Sequence, residues 1–200
     1  MRTSPCIIAF RTERHSAREG TMENGIRILM VWLHILGVAL WVGPQFFLAF
    51  AWVPASRRIA DVRTRLEAMR TITRRFGYIG GVGLGFILIA GTYLISTWRD
   101  YWGVGDDVGF FDLRYGWVFA TKMAFLVVML VLVGFHIFSI GPRQIDLLER
   151  QANGDPVSDA DLARVRRLSM TLSILTLVIT LAIMALGVTL SVGEYSLQEM

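Results

Sequence analysis

The sequence has little cysteine, little lysine and little charge. Its one cysteine, Cys6, excludes an intrachain disulfide and any thiolate cluster for zinc or iron–sulfur within the chain. Charged residues make up 18% of the 200 residues, against 54% hydrophobic residues and a mean hydropathy of +0.52. The single lysine, Lys122, falls inside a hydrophobic segment. This composition is too apolar for one soluble domain and indicates an integral membrane protein.

Motifs for soluble chemistry are also missing. The sequence contains no nucleophile–base constellation, no closely spaced metal-ligand motif and no phosphate-binding glycine loop, so a hydrolase or nucleotide-binding enzyme finds no support. No basic stripe interleaved with exposed aromatic residues lies outside the membrane flanks, which argues against nucleic-acid binding. The partners we expect are the lipid bilayer and a membrane or periplasmic redox protein.

Four apolar stretches are long enough to cross a bilayer, which takes about 20 residues. They cover residues 28–52, 76–98, 116–140 and 168–191. They predict an all-α, integral membrane four-helix bundle occupying residues 22–200. Residues 1–21 are predicted to be a disordered or non-native tail, with Met22 as an alternative translation start. Apolar residues from Ile59 to Ile72 recur among arginines at three- and four-residue spacing, which predicts either an amphipathic surface helix or a solvated cationic loop.

Arginine is distributed unevenly between the loops. Seven arginines lie in residues 55–75 and five in residues 141–167, but only Arg99 and Arg114 separate spans two and three. By the positive-inside rule, loops 55–75 and 141–167 are cytoplasmic and loop 99–116 lies outside a bacterial-type inner membrane. The outer loop is rich in tryptophan and tyrosine, as is typical of a membrane–water interface.

Ionisable residues inside the spans indicate where function lies. His34 follows Met30 by four residues and precedes Trp41 by seven, so the three share one helix face. His34 and Lys122 each lie about six residues into spans that run in the same direction, which places both roughly 9 Å below the outer edge. His136 lies about 20 residues into span three and is expected near the inner end. We therefore do not expect His34 and His136 to bind one haem together.

Span two carries glycines at four-residue spacing, namely Gly77, Gly81 and Gly85. Such a series leaves a flat groove that another helix can approach closely. We expect this groove to serve packing, including contact with a second copy or with another subunit of a membrane complex.

Residues 32–43 and the following Val-Pro-Ala-Ser-Arg-Arg of residues 53–58 resemble the first helix of copper resistance protein D (CopD) membrane domains. They also resemble the related HemJ-type protoporphyrinogen oxidases, which share a histidine followed by a tryptophan seven residues later. The likeness extends over residues 28–191, including the glycine-rich second span and a third span with Lys122 and His136. The resemblance implies copper handling on the CopD side. On the HemJ side it implies haem b with functional roles for His34 and Lys122.

Three functional hypotheses follow, and the cofactor, copper or haem b, stays open between the first two. Copper handling at the outer side of the membrane would use soft ligands from His34, Met30 and Met123. A haem b site would use His34 as axial ligand with Lys122 and Trp41 nearby, and His136 is a further candidate cofactor residue. A non-catalytic accessory subunit is the third hypothesis. A non-enzymatic role is favoured. If the protein is an enzyme, we expect a HemJ-like haem-dependent oxidoreductase.

Overall fold

The computed structural model describes residues 22–56 and 58–200 in full and, for residues 5–21, the helical course of the backbone alone. The tail predicted for residues 1–21 lies outside the residues described in full, and it stays a prediction. Within the described residues the secondary structure is helical, apart from one isolated bridge between Leu113 and Glu199. The all-α fold predicted from the sequence is confirmed.

Five long helices form the framework of the described chain. They are α1 (Pro5–Phe46), α2 (Val62–Ser96), α3 (Arg114–Phe135), α4 (Gly141–Asn153) and α5 (Asp159–Ser191). Two of them continue without a break into π-helical turns: α1 into Phe47–Trp52 and then Val53–Ser56, and α3 into His136–Ile140 and then α4. Four continuous stretches are long and apolar enough to cross a membrane, as predicted: Met22–Ser56, Val62–Ser96, Arg114–Asn153 and Asp159–Ser191.

The predicted amphipathic segment is not a separate helix, because α2 begins at Val62 and runs through it into the second span. Asp61 starts this helix as its N-cap: its carboxylate accepts hydrogen bonds from the amide of Thr64 at 2.9 Å and from the Thr64 hydroxyl at 2.5 Å. These hydrogen bonds hold the pKa of Asp61 below its usual value. No proline follows Asp61 within α2, so nothing in the sequence ends the helix before the membrane.

The third span also continues further than its apolar stretch. Pro142 follows the π-helical turn His136–Ile140 by two residues, and the rod continues through it to Asn153. The chain turns at Gly154, which has φ of 83°, and α5 begins directly after Ser158.

Glycines allow α1 and α2 to pack with their backbones in contact. A Cβ atom on Gly37 would lie 2.6 Å from the Gly83 carbonyl oxygen. By contrast, nothing lies within 4 Å of a Cβ on Gly77, Gly81 or Gly85, so the groove that they form faces away from α1. Oligomer contact through that groove stays a prediction.

Loop 97–113 and the C-terminal residues close one end of the bundle, which we call the aromatic end. A short helix, Trp98–Trp102, follows α2, and another, Gly193–Ser196, follows α5. The Trp98 ring stacks on Tyr115 with centroids 4.9 Å apart. The guanidinium of Arg27 lies over the Tyr101 ring and donates to the Thr97 hydroxyl at 3.2 Å, tying this loop to α1. The opposite end carries the arginine-rich segments and is called the arginine end.

We predict that Gly37→Ala lowers the unfolding midpoint of the detergent-solubilised protein. The added methyl group would collide with the Gly83 carbonyl and force α1 and α2 apart, at a cost of about 1–3 kcal/mol. Gly81→Ala is the matched control, because its methyl meets open space and alanine favours a helix over glycine. Equal midpoints for the two variants would contradict the proposed backbone contact.

Candidate functional site

The membrane region contains a buried cluster around Trp41, Val42 and Met129, which we call the central cluster. All four membrane-length stretches contribute to it. Its partly buried members are Val38, Leu84, Ile87, Leu126, Leu130, Val133, Ile179 and Ile183. Trp41 is 6% exposed and Met129 is 2% exposed, so this layer separates the two ends of the bundle.

One helical turn nearer the aromatic end lies a polar level, which we call the His34–Lys122 level. Each of its four members is four residues from a residue that packs on the central cluster, and hence about 6 Å further along its helix. The pairs are His34 with Val38, Lys122 with Leu126, Gly91 with Ile87, and Gly187 with Ile183. The structure therefore places His34 and Lys122 at one level of the bundle.

His34 is fixed against α2 by one edge of its ring. Its Nδ1 lies 3.2 Å from the carbonyl oxygen of Ile87, and a Cβ on Gly91 would lie 3.4 Å from its Cε1. A carbonyl oxygen can only accept, so Nδ1 carries the hydrogen and donates it. Nε2 is then the nitrogen with a free lone pair. Metal-bound histidines are typically oriented by the same kind of hydrogen bond from the other ring nitrogen.

Lys122 brings positive charge into the bundle. Its side chain is half-buried, and its Nζ would lie 3.5 Å from a Cβ on Gly187, so the ammonium rests on α5. In the part of the chain that the structure describes, no carboxylate forms an ion pair with it. An unpaired cation here favours an anionic ligand and counts against a bare metal cation at the same level.

The other predicted site residues are distributed over several levels of the bundle. Met30 and Met123 are half-buried and belong to none of the buried clusters of the described residues. Trp41 lies in the central cluster, and His136 begins the π-helical turn near the arginine end. His136 follows Lys122 by 14 residues, about 21 Å along the helix. Among the described side chains, no group of three or more His, Cys, Asp or Glu residues could hold a metal ion.

Sequence reasoning missed two polar residues inside the bundle. The side-chain amide of Gln45 has both its nitrogen and its oxygen buried without a hydrogen-bond partner among the described residues. Thr180 is buried and donates its hydroxyl to the Thr176 carbonyl at 2.8 Å, with Met129 Sδ at 3.4 Å. Gln45 had a readable signal, because it is a polar residue four positions after Trp41 within an apolar span.

The two helix pairs, α1 with α2 and α3 with α5, share one plan. Trp41 follows His34 by seven residues, as Met129 follows Lys122, and both belong to the central cluster. A π-helical turn begins 13 residues after His34 and 14 after Lys122. A proline, Pro54 or Pro142, comes 20 residues after each polar side chain. His34 and Lys122 thus stand at matching places along α1 and α3.

These features define a multi-pass, all-α membrane protein whose interior holds an imidazole and an ammonium at one depth. The sequence model of the family described as copper resistance protein D matches residues 70–189. The chain belongs to the copper resistance protein D (CopD) family, which associates it with copper resistance. The matched segment includes Lys122 and His136 but begins after His34. Searches of curated proteins and of solved structures found no match.

We predict that Lys122→Met raises the unfolding midpoint in detergent. The substitution removes an ammonium that has no carboxylate partner among the described residues. A lysine at the centre of a membrane helix costs about 2.5–3.5 kcal/mol, and we expect recovery of a part of this, on the order of 1 kcal/mol. A lower midpoint in Lys122→Met would show that Lys122 stabilises the fold, contrary to the unpaired state inferred here.

Proposed function

We propose that this protein handles copper, by binding or transport, at the outer side of the inner membrane, with His34 as its imidazole ligand. The observation that carries the proposal is the hydrogen bond from His34 Nδ1 to the Ile87 carbonyl, which leaves Nε2 available to a metal. Membership in the CopD family supports copper as the metal. The arginine counts support an outward position for the aromatic end, where this level lies.

Thioethers would complete the proposed copper site. Cu(I) prefers soft ligands such as imidazole and thioether, and Met30 precedes His34 by four residues on the same helix face. Met123 is the neighbour of Lys122 in the sequence and offers a second thioether close to this depth. The metal would supply charge and ligand exchange at this level, while the protein would fix the imidazole in one orientation. No catalytic residue is needed for such a role.

We predict that His34→Ala lowers the affinity for Cu(I) by about tenfold or more, because even loss of an outer-shell partner of a metal ligand costs about 10- to 100-fold. The measurement is competition with a chromophoric Cu(I) chelator on detergent-purified protein under reducing conditions. His136→Ala is the matched control, since it removes a histidine near the opposite end of the bundle. Unchanged copper affinity in His34→Ala would exclude the proposed site.

Haem b is a second candidate, and Lys122 is the observation that favours it. An unpaired ammonium near His34 would suit the carboxylates of a porphyrin, with His34 as axial ligand. In that case the role would be electron transfer or HemJ-like porphyrinogen oxidation with a redox partner. The match to the CopD family model does not by itself indicate porphyrinogen oxidation.

The two candidates predict opposite effects of Lys122→Met. Loss of the ammonium should strengthen Cu(I) binding, because charge repulsion disappears, and should weaken haem binding, because the carboxylates lose their partner. Metal analysis and absorption spectra of oxidised and dithionite-reduced protein distinguish the two, since haem gives a Soret band and copper bound to thioether and imidazole does not. A variant that binds copper more weakly than wild type would contradict the copper assignment.

A protein that binds neither copper nor haem would favour the accessory-subunit hypothesis. The open groove of Gly77, Gly81 and Gly85 on α2 supports this alternative, because it leaves a flat helix face free of contacts within the described chain. Purification in a mild detergent followed by measurement of the complex mass would test it.

A further inference from the structure

We propose that Trp41 and Gln45 bind a buried water molecule in the middle of the membrane region, at a site separate from the His34–Lys122 level. Three side-chain polar atoms carry this inference: Trp41 Nε1, Gln45 Nε2 and Gln45 Oε1 are all buried and lack hydrogen-bond partners in the described protein. The hydrocarbon of the bilayer offers such groups no hydrogen-bond partner, and leaving them unpaired is costly. The proposal does not depend on the proposed copper function.

The two side chains lie close together along α1. They lie four residues apart on α1, so they lie on the same helix face one turn apart. Pro44 lies between them inside α1 and has no N–H, so the carbonyl of Leu40 loses the amide that would normally bond to it. A third polar group is thereby freed within the same turn of the helix. Buried Thr176, one turn before Thr180 on α5, lies at the depth of Gln45.

The chemistry of these groups selects the ligand. An indole N–H can only donate, so Trp41 excludes a bare cation as its partner. The surrounding residues carry no formal charge, which makes an anion costly in this apolar layer. A water molecule accepts from Trp41 and from the Gln45 NH₂ group, and donates to the Gln45 oxygen and to the Leu40 carbonyl. This gives it two to four polar partners, as buried waters in proteins usually have.

The position of the site determines how far polar contacts would extend along the inside of the bundle. Gln45 lies 11 residues after His34, about 16 Å further toward the arginine end, at the edge of the central cluster. A hydrated position there would bring polar contacts into the apolar layer that Trp41 and Met129 form. A polar solute or proton that crosses the bundle from the aromatic end would meet this water after the His34–Lys122 level.

The deciding test is NMR of wild-type protein labelled with ¹⁵N-tryptophan in detergent. Trp41→Phe assigns the Trp41 indole signal among those of the six tryptophans. We expect a cross-relaxation peak between the Trp41 indole proton and water. The indole of Trp32, which is 57% exposed on the lipid-facing surface near the aromatic end, is the reference, because its cross-peaks report contact with the detergent and solvent outside the bundle. A Trp41 indole without a water cross-peak overturns the proposal.

Stability measurements on substitutions give an independent readout. With water bound, Gln45→Leu and Trp41→Phe should each lower the unfolding midpoint, and the double variant should lose less than the sum, because both side chains hold the same water. With the polar groups unpaired, Gln45→Leu should raise the midpoint, which would count against the site. The same changes at Gln151 and Trp32, which are exposed, are the matched controls.

Discussion

The exclusion of water from the bilayer core is the constraint on which the rest of this structure depends. Each polar group at that depth needs a partner within the protein. Most are satisfied by the helices themselves, and Thr180 follows the rule by donating to the carbonyl one turn earlier. Lys122, Trp41 and Gln45 are the exceptions, since their polar atoms lack protein partners among the described residues. These exceptions lie beside or within the central cluster, which is why we place ligands there.

Hydropathy and helix geometry were sufficient to predict the main architecture. Four apolar stretches gave four membrane-length helices, and the rise per residue gave a common depth for His34 and Lys122. The same reasoning could not decide which glycines of α2 contact α1. The four-residue spacing of Gly77, Gly81 and Gly85 would also have suited a helix–helix contact. The contact is made through Gly83, because Gly37 faces it on α1 and has no side chain to keep the backbones apart.

Helix ends were predicted less well, for a physical reason. Hydropathy detects where a helix leaves the hydrocarbon, whereas hydrogen bonding and capping decide where it stops. Asp61 therefore starts α2 well before the membrane, and the third rod continues through Pro142 after the π-helical turn His136–Ile140. Gln45 was missed for a related reason: a single polar residue barely changes the hydropathy of a long apolar window, although its burial makes it costly.

The unlike groups that α1 and α3 present at one depth restrict what the His34–Lys122 level can bind. Two histidines would suit a bare metal ion, and two lysines would suit an anion. One imidazole with a free Nε2 and one ammonium instead suit a ligand that combines a metal centre with negative charge. Copper with an anionic co-ligand and haem with its carboxylates both have this combination. The metal would then bind to the half formed by α1 and α2, and the negative charge to the half formed by α3 and α5.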